Sequence, residues 1–206
     1  MEIHRKSNFI HQGAPLAEAQ SLMLMVHGRG ASAESILSLA QYFDAPHRAF
    51  IAPQATQSTW YPYPFIAPIA QNEPYLSDAL ALLKFWVDEA QAQGLRSDQI
   101  YLLGFSQGAC LSLEFAARHP QAYAGIFGLS GGLIGPMGQL SNYTGDMHNT
   151  PVFLGCSDVD SHIPQKRVEE SAEVFSRLGG QVTMQIYPNM GHTIIEPEIT
   201  TIQKMM

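Results

Sequence analysis

Cysteine is scarce in this chain. Cys110 and Cys156 are the only two in 206 residues, too few for the disulfide framework of a small secreted scaffold. Charge is sparse and lopsided: Asp, Glu, Lys and Arg make up 14% of the chain, 18 acidic against 11 basic, for a net charge of −7. With no Lys/Arg cluster, neither nucleic acid nor an anionic membrane surface is an expected partner. No apolar run approaches the ~18 residues of a membrane span, so stable membrane insertion is not expected either. The opening residues, MEIHRKSNFIHQ, lack the uninterrupted apolar core of a signal peptide. Repeats, charge blocks and low-complexity tracts are missing too. What is left is a globular balance, 46% hydrophobic. The length suits one domain over residues 1–206, able to bury roughly 70% of its unfolded surface. A cytoplasmic location is the expectation, and a homodimer is left open.

Strand-like apolar runs recur at Leu22–Val26, Ala49–Ala52, Ile100–Phe105, Ala124–Leu129, Pro151–Gly155 and Val182–Tyr187. Helix-length segments lie between several of them, at about 33–41, 75–93, 107–118 and 165–178. Runs apolar on both faces that alternate with helices predict an α/β fold, a mostly parallel central sheet with helices on both faces. Leu76, Leu80, Leu83 and Val87 give the second helix a buried stripe, with Ser77 expected to cap its start and Gly94 its end. The connections are too short for a separate lid domain.

The most telling stretch is Ile100–Pro120. An apolar strand runs into Gly104–Phe105–Ser106–Gln107–Gly108, and a helix follows. G-x-S-x-G at a strand–turn–helix junction exposes the serine Oγ on a sharp corner and aims helix-start N–H groups at a developing anion. The pattern occurs twice. Gly128–Leu129–Ser130–Gly131–Gly132 also matches, but Leu133–Ile134–Gly135–Pro136 behind it is poor helix material. Ser106 is therefore the expected nucleophile, and Ser130 a glycine-rich strand end lining the same pocket.

A serine nucleophile needs a base, and the base an orienting acid, which in this architecture follow in the order Ser, Asp or Glu, His. His192, in Asn189–Met190–Gly191–His192 after the last strand, has the right position; His4, His11, His27 and His47 come before Ser106. After the strand Pro151–Val152–Phe153–Leu154, Asp158 and Asp160 compete for the acid, and chemistry alone does not separate them. One would accept the His192 N–H while the other braces the loop. For the oxyanion hole, one N–H comes from Gln107, the residue after the nucleophile. The other is expected from Arg29 in His27–Gly28–Arg29–Gly30, where Gly28 lets backbone approach the substrate. His27 is expected to brace this loop rather than titrate. The segment 53–74 carries five prolines with Trp60, Tyr61, Tyr63 and Phe65. Stiffened this way, it predicts an ordered aromatic wall for an acyl or aryl pocket, with Trp60, Tyr61 and Phe65 as substrate-binding candidates and a loop packed on the body as the alternative.

With these residues placed, the chain from about 21 to 195 resembles the phospholipase/carboxylesterase family of small α/β-hydrolases, which includes acyl-protein thioesterases. Gly104–Phe105–Ser106–Gln107–Gly108 is the most specific segment, Gln107 being more diagnostic than the glycines. The resemblance implies the α/β-hydrolase fold and an ester or thioester as the small-molecule substrate. It also implies acyl-enzyme chemistry on Ser106 with no cofactor and no metal. The spacing from Gly155 alone would favour Asp158, but laid on the family's acid loop the stretch closing at Ile163–Pro164 matches without an insertion, so the resemblance implies Asp160 as the acid. Ser157 stands where the family tends to have glycine, Ser161 where it often has proline, and Arg29 where it has an apolar residue. Two other readings are a dienelactone hydrolase-like enzyme and a non-catalytic binding module on the same fold.

Overall fold

The six apolar runs are strands in the computed structural model, which describes residues 3–206. They are β2 (Ser21–Val26), β3 (Arg48–Pro53), β4 (Ile100–Phe105), β5 (Gly125–Leu129), β6 (Pro151–Ser157) and β7 (Gln181–Tyr187). A further strand, β1 (Phe9–Gly13), has no apolar run to mark it, because only Ile10 in it is even partly buried. It is an edge strand, antiparallel to β3, with Phe9 opposite Pro53. The sheet order is β1-β3-β2-β4-β5-β6-β7, and every other neighbouring pair is parallel.

Side chains alternate across a strand, so each buried strand feeds two cores. On β2, Leu22, Leu24 and Val26 join one apolar cluster, and Met23 and Met25 the other. The first face is covered by α2 (Tyr75–Ala92), α3 (Gln107–Arg118) and α4 (Gln165–Arg177). The second carries α1 (Ala33–Leu37) and α5 (Glu196–Met205). The stripe expected on α2 is buried, and Gly94, at φ +98°, lies just past its end. Ser77 does not cap it. The helix starts two residues earlier, and Ser77 donates its N–H and O–H to the Glu73 carboxylate. The segment expected as one helix over 33–41 tightens into a 3₁₀ turn after Leu37. Helix α5 has no comparable sequence signal, since its buried apolar residues reduce to Ile199 and Ile202. No helix among the described residues is long and apolar enough to cross a membrane.

This topology decides where a site can form. Strands β2 and β4 are neighbours, yet β2 continues through α1 to β3 on one side and β4 through α3 to β5 on the other. The loops leaving their carboxyl ends diverge and open a crevice, the usual ligand position in an open parallel sheet. Gly28 and Ser106 sit at those two strand ends.

Candidate active site

The turn between β4 and α3 requires glycine on both sides of Ser106. A Cβ on Gly104 would lie 2.3 Å from the Gly108 carbonyl oxygen, and one on Gly108 would lie 2.1 Å from that of Val26. The absence of both side chains lets α3 start directly against the ends of β2 and β4. Ser106 itself is held at φ 55°, ψ −120°, a region costly for a residue with a Cβ. Its N–H donates to the Leu129 carbonyl at 2.9 Å and its carbonyl accepts the Cys110 N–H at 2.9 Å, so strand and helix together impose the strain. Ser130 also has positive φ, at 50°, but no helix follows it. The expectation that it lines the pocket is not met. Ser130 is fully buried, its Oγ lacks a hydrogen-bond partner among the described residues, and Ala109 of α3 packs over the adjoining Gly131.

Three chain segments converge on the Ser106 hydroxyl. His192 Nε2 lies 2.7 Å from Ser106 Oγ, and His192 Nδ1 lies 2.7 Å from Asp160 Oδ2. A carboxylate only accepts, so the His192 Nδ1–H donates to it and Nε2 is left to accept the serine proton. Burial alone would raise the Asp160 carboxyl. The bonds from His192 and from the His162 and Ile163 amides outweigh it and hold the group below its ordinary value. Asp160 is therefore an anion. Asp158, two residues earlier, does not reach the imidazole. Its Oδ1 accepts the Asn189 N–H at 2.8 Å, tying the acid loop to the loop that carries His192. The Phe105 and His162 rings pack against the imidazole at 5.1 and 4.8 Å between centroids.

The β2 loop is braced as expected. His27 is fully buried, and desolvation lowers its pKa despite its bond to the Gly28 carbonyl. The neutral ring donates from Nδ1 to that carbonyl at 2.7 Å and accepts the Ala55 N–H at Nε2, at 3.1 Å. The backbone N–H groups of Arg29 and Gln107 donate to no protein acceptor among the described residues. Their side chains organise the aromatic segment. Gln107 Oε1 accepts the Trp60 N–H at 3.0 Å and its Nε2 donates to the Tyr61 carbonyl at 2.9 Å. The Arg29 guanidinium donates to the carbonyls of Tyr61, Pro62 and Tyr63.

Held this way, residues 61–65 wall a cavity of about 430 Å³ at Ser106. It is lined by Arg29, Tyr61, Pro62, Pro64, Phe65, Gln107, Cys110, His162, Ile163 and His192. Tyr61 and Phe65 are where the sequence put them. Trp60 is not: it is 0% exposed, its indole N–H donates to the His27 carbonyl at 2.8 Å, and it packs beneath the wall against His4 and His27. The chain bends at residues 60–63, and the bonds of the Trp60 backbone and indole N–H groups to Gln107 and His27 turn its ring inward while Tyr61 stays on the cavity. Gly28 is also displaced from its expected role. It backs Ser106, but it lines a second cleft of about 320 Å³ with Ile36, Leu39, Phe105, Thr193 and Ile194. His192 is common to both cavities. Cys110 and His162 line the cavity without any sequence motif to announce them. Burial pushes the Cys110 thiol up to about 12, so it is a neutral wall group. No group of three or more His, Cys, Asp or Glu side chains among the described residues could hold a metal ion.

A model of the phospholipase/carboxylesterase family matches residues 10–206. The chain belongs to this family. The fold is accordingly the α/β-hydrolase fold, and the family is one of ester-cleaving hydrolases. Acyl-protein thioesterase 1 of Gibberella zeae is 32% identical over 120 residues, 55% of this chain, and the match spans about half (49%) of that protein's length. Acyl-protein thioesterase 1 of Kluyveromyces lactis is 26% identical over 188 residues, 82% of either chain. The crystal structure of a phospholipase/carboxylesterase from Dyadobacter fermentans is 43% identical, with a TM-score of 0.94 over 99% of this chain and 97% of that one. Esterase PE8, 24% identical at a TM-score of 0.80 over 97% and 99%, shares the fold.

Proposed function

We propose that the chain hydrolyses carboxylic esters, thioesters included, through an acyl-enzyme on Ser106. The observation that carries this reading is the unbroken hydrogen-bond chain from Ser106 through His192 to Asp160, each link 2.7 Å. His192 Nε2 takes the serine proton as Oγ attacks the carbonyl carbon, and the Asp160 anion holds the tautomer and stabilises the imidazolium. The carbonyl oxygen becomes an oxyanion at the start of α3. There the amides of Gln107 and Arg29 supply two donors, each typically worth ~3 kcal/mol in the transition state. His192 then protonates the leaving alcohol or thiol, water adds to the acyl-enzyme, and the same groups release the acid.

Tyr61, Phe65, Pro62 and Ile163 offer the acyl group an apolar wall. The two cysteines are buried and unpaired, which supports a reducing compartment, the cytoplasm. The test is hydrolysis of p-nitrophenyl acetate, butyrate and octanoate and of an acyl-CoA thioester by wild type and Ser106→Ala. Loss of about 10⁶ in kcat is expected on removing the nucleophile. An inert wild type, or a variant that keeps its rate, would sink the reading.

A further inference from the structure

Arg29 puts a fixed positive charge on the wall of the Ser106 cavity, and nothing acidic faces it there. The lining residues include Arg29, His162 and His192 but no Asp or Glu, and Asp160 is spent on His192. This happens in a chain of net charge −7. Three arginines are paired with carboxylates, Arg96 with Asp98, Arg118 with Glu114 and Arg167 with Glu170, at 2.9, 2.7 and 2.9 Å, whereas Arg48 hydrogen-bonds only to the Ser21 hydroxyl and the Phe43 carbonyl among the described residues. Arg29 makes no ion pair among the described residues.

Arg29 is exposed to solvent at the cavity rim, yet its guanidinium is oriented by the loop opposite. It donates to the carbonyls of Tyr61, Pro62 and Tyr63 at 2.8, 2.9 and 3.1 Å. Carbonyl oxygens are neutral, so they orient the cation without cancelling its charge. They occupy three of its five N–H groups, and the other two have no acceptor among the described residues. A side chain on a flexible stem has thus been pre-positioned as a charge at the cavity, with its ordering entropy already spent in the free protein. If the arginine served only to clamp the loop, the carbonyl bonds would explain its hydrogen bonding. They do not explain a cavity wall that is free of acid.

We infer that the ester taken at this site carries an anionic group, a carboxylate or phosphate, that is seated against Arg29. This deepens the esterase reading and rests on it. Charge complementarity then selects among esters by differential affinity, while Ser106, His192 and Asp160 perform the same chemistry on each.

The experiment uses two matched pairs of esters. Mono-p-nitrophenyl glutarate against p-nitrophenyl valerate places the anion on the acyl side. p-Carboxyphenyl butyrate against p-tolyl butyrate places it on the leaving group. For each pair the anionic-to-neutral ratio of kcat/KM is measured for wild type, Arg29→Gln and Arg29→Lys. Loss of the clamp slows both members of a pair alike, whereas loss of the charge moves the ratio. We expect wild type to favour the anionic ester in one pair, and Arg29→Gln to lower that ratio about tenfold. Arg29→Lys should keep most of the ratio while slowing both esters. Added salt should erode the wild-type preference and leave that of Arg29→Gln unmoved. Ratios unchanged by Arg29→Gln in both pairs, with Ser106-dependent turnover intact, would overturn the inference alone. Turnover of none of the four esters, or turnover that survives Ser106→Ala, would fail the esterase reading and this inference with it.

Discussion

Replacing Glu198 by glutamine should remove a pH dependence of folding stability that a single buried carboxyl creates. Glu198 sits in the first turn of α5 with no exposed surface. Its Oε2 accepts the Ile195 N–H at 3.1 Å, closing the helix start just beyond the His192 loop. Its Oε1 has no partner among the described residues and abuts Gly155, where an added Cβ would fall 2.2 Å away. Burial pushes the group from 4.5 up to about 7, against the opposing pull of the Ile195 N–H. The unfolded chain therefore releases this proton near pH 4.5 while the folded chain keeps it until about pH 7. Between those values the folded state holds more protons, so stability falls as pH rises, by about 3 kcal/mol in total, and levels off above.

The assay is urea unfolding of wild type and Glu198→Gln at fixed ionic strength, at intervals from about pH 4.5 to about pH 8. The amide keeps an acceptor for the Ile195 N–H and does not titrate. The stability difference between the two proteins should drift by about 3 kcal/mol in favour of the variant across the window. Asp160 has the opposite sign. Held below its ordinary 3.8, it contributes stability above that value that is lost only as pH falls through its folded pKa, so it acts below the window and cancels in the difference. Parallel curves for the two proteins would refute the argument, since they would mean that Glu198 ionises in the folded state without penalty.

Two further substitutions separate roles that lie close together. Asp160→Asn should lower kcat on p-nitrophenyl butyrate by about 10⁴, because the amide no longer selects the His192 tautomer. Asp158→Asn keeps an acceptor for the Asn189 N–H and should cost less than about tenfold; a larger loss from Asp158→Asn than from Asp160→Asn would reverse the assignment. Gly108→Ala should destabilise the protein by about 3 kcal/mol, read as a fall in Tm, because the new methyl meets fixed backbone oxygens of Val26 and His27 at 2.1 and 2.5 Å. Inside an unconstrained helix the same change stabilises by up to about 1 kcal/mol, so a raised Tm would show that α3 does not press on the end of β2.

The buried strands were legible because a doubly covered parallel strand must be apolar on both faces, and β2, β4, β5 and β6 are. Edge strand β1 and helix α5 were not, since an element half in water needs few apolar residues to stay in place. The elbow was readable for another reason. A turn that admits no Cβ at either side of Ser106 leaves its glycines in the sequence, whatever lies elsewhere in the chain. Position after the last strand sufficed for His192, because sheet order converts chain order into place.

Local patterns in the sequence thus specified the layered α/β architecture and pointed to the proposed nucleophile and its base: the period of apolar residues, glycine beside serine, the order of strand ends. Residue chemistry left Asp158 and Asp160 equivalent and only the family resemblance favoured Asp160; it is the packing of the two loops that brings Asp160 to the imidazole. Two carboxylates in one loop are chemically alike until β7 and its following loop dock beside them. Tertiary structure likewise buried Trp60 under the cavity wall while leaving Tyr61 on it, and it turned the Arg29 guanidinium onto the carbonyls of residues 61–63. Those outcomes depend on partners more than thirty residues away in the chain, and no local pattern encodes which of them a side chain will meet.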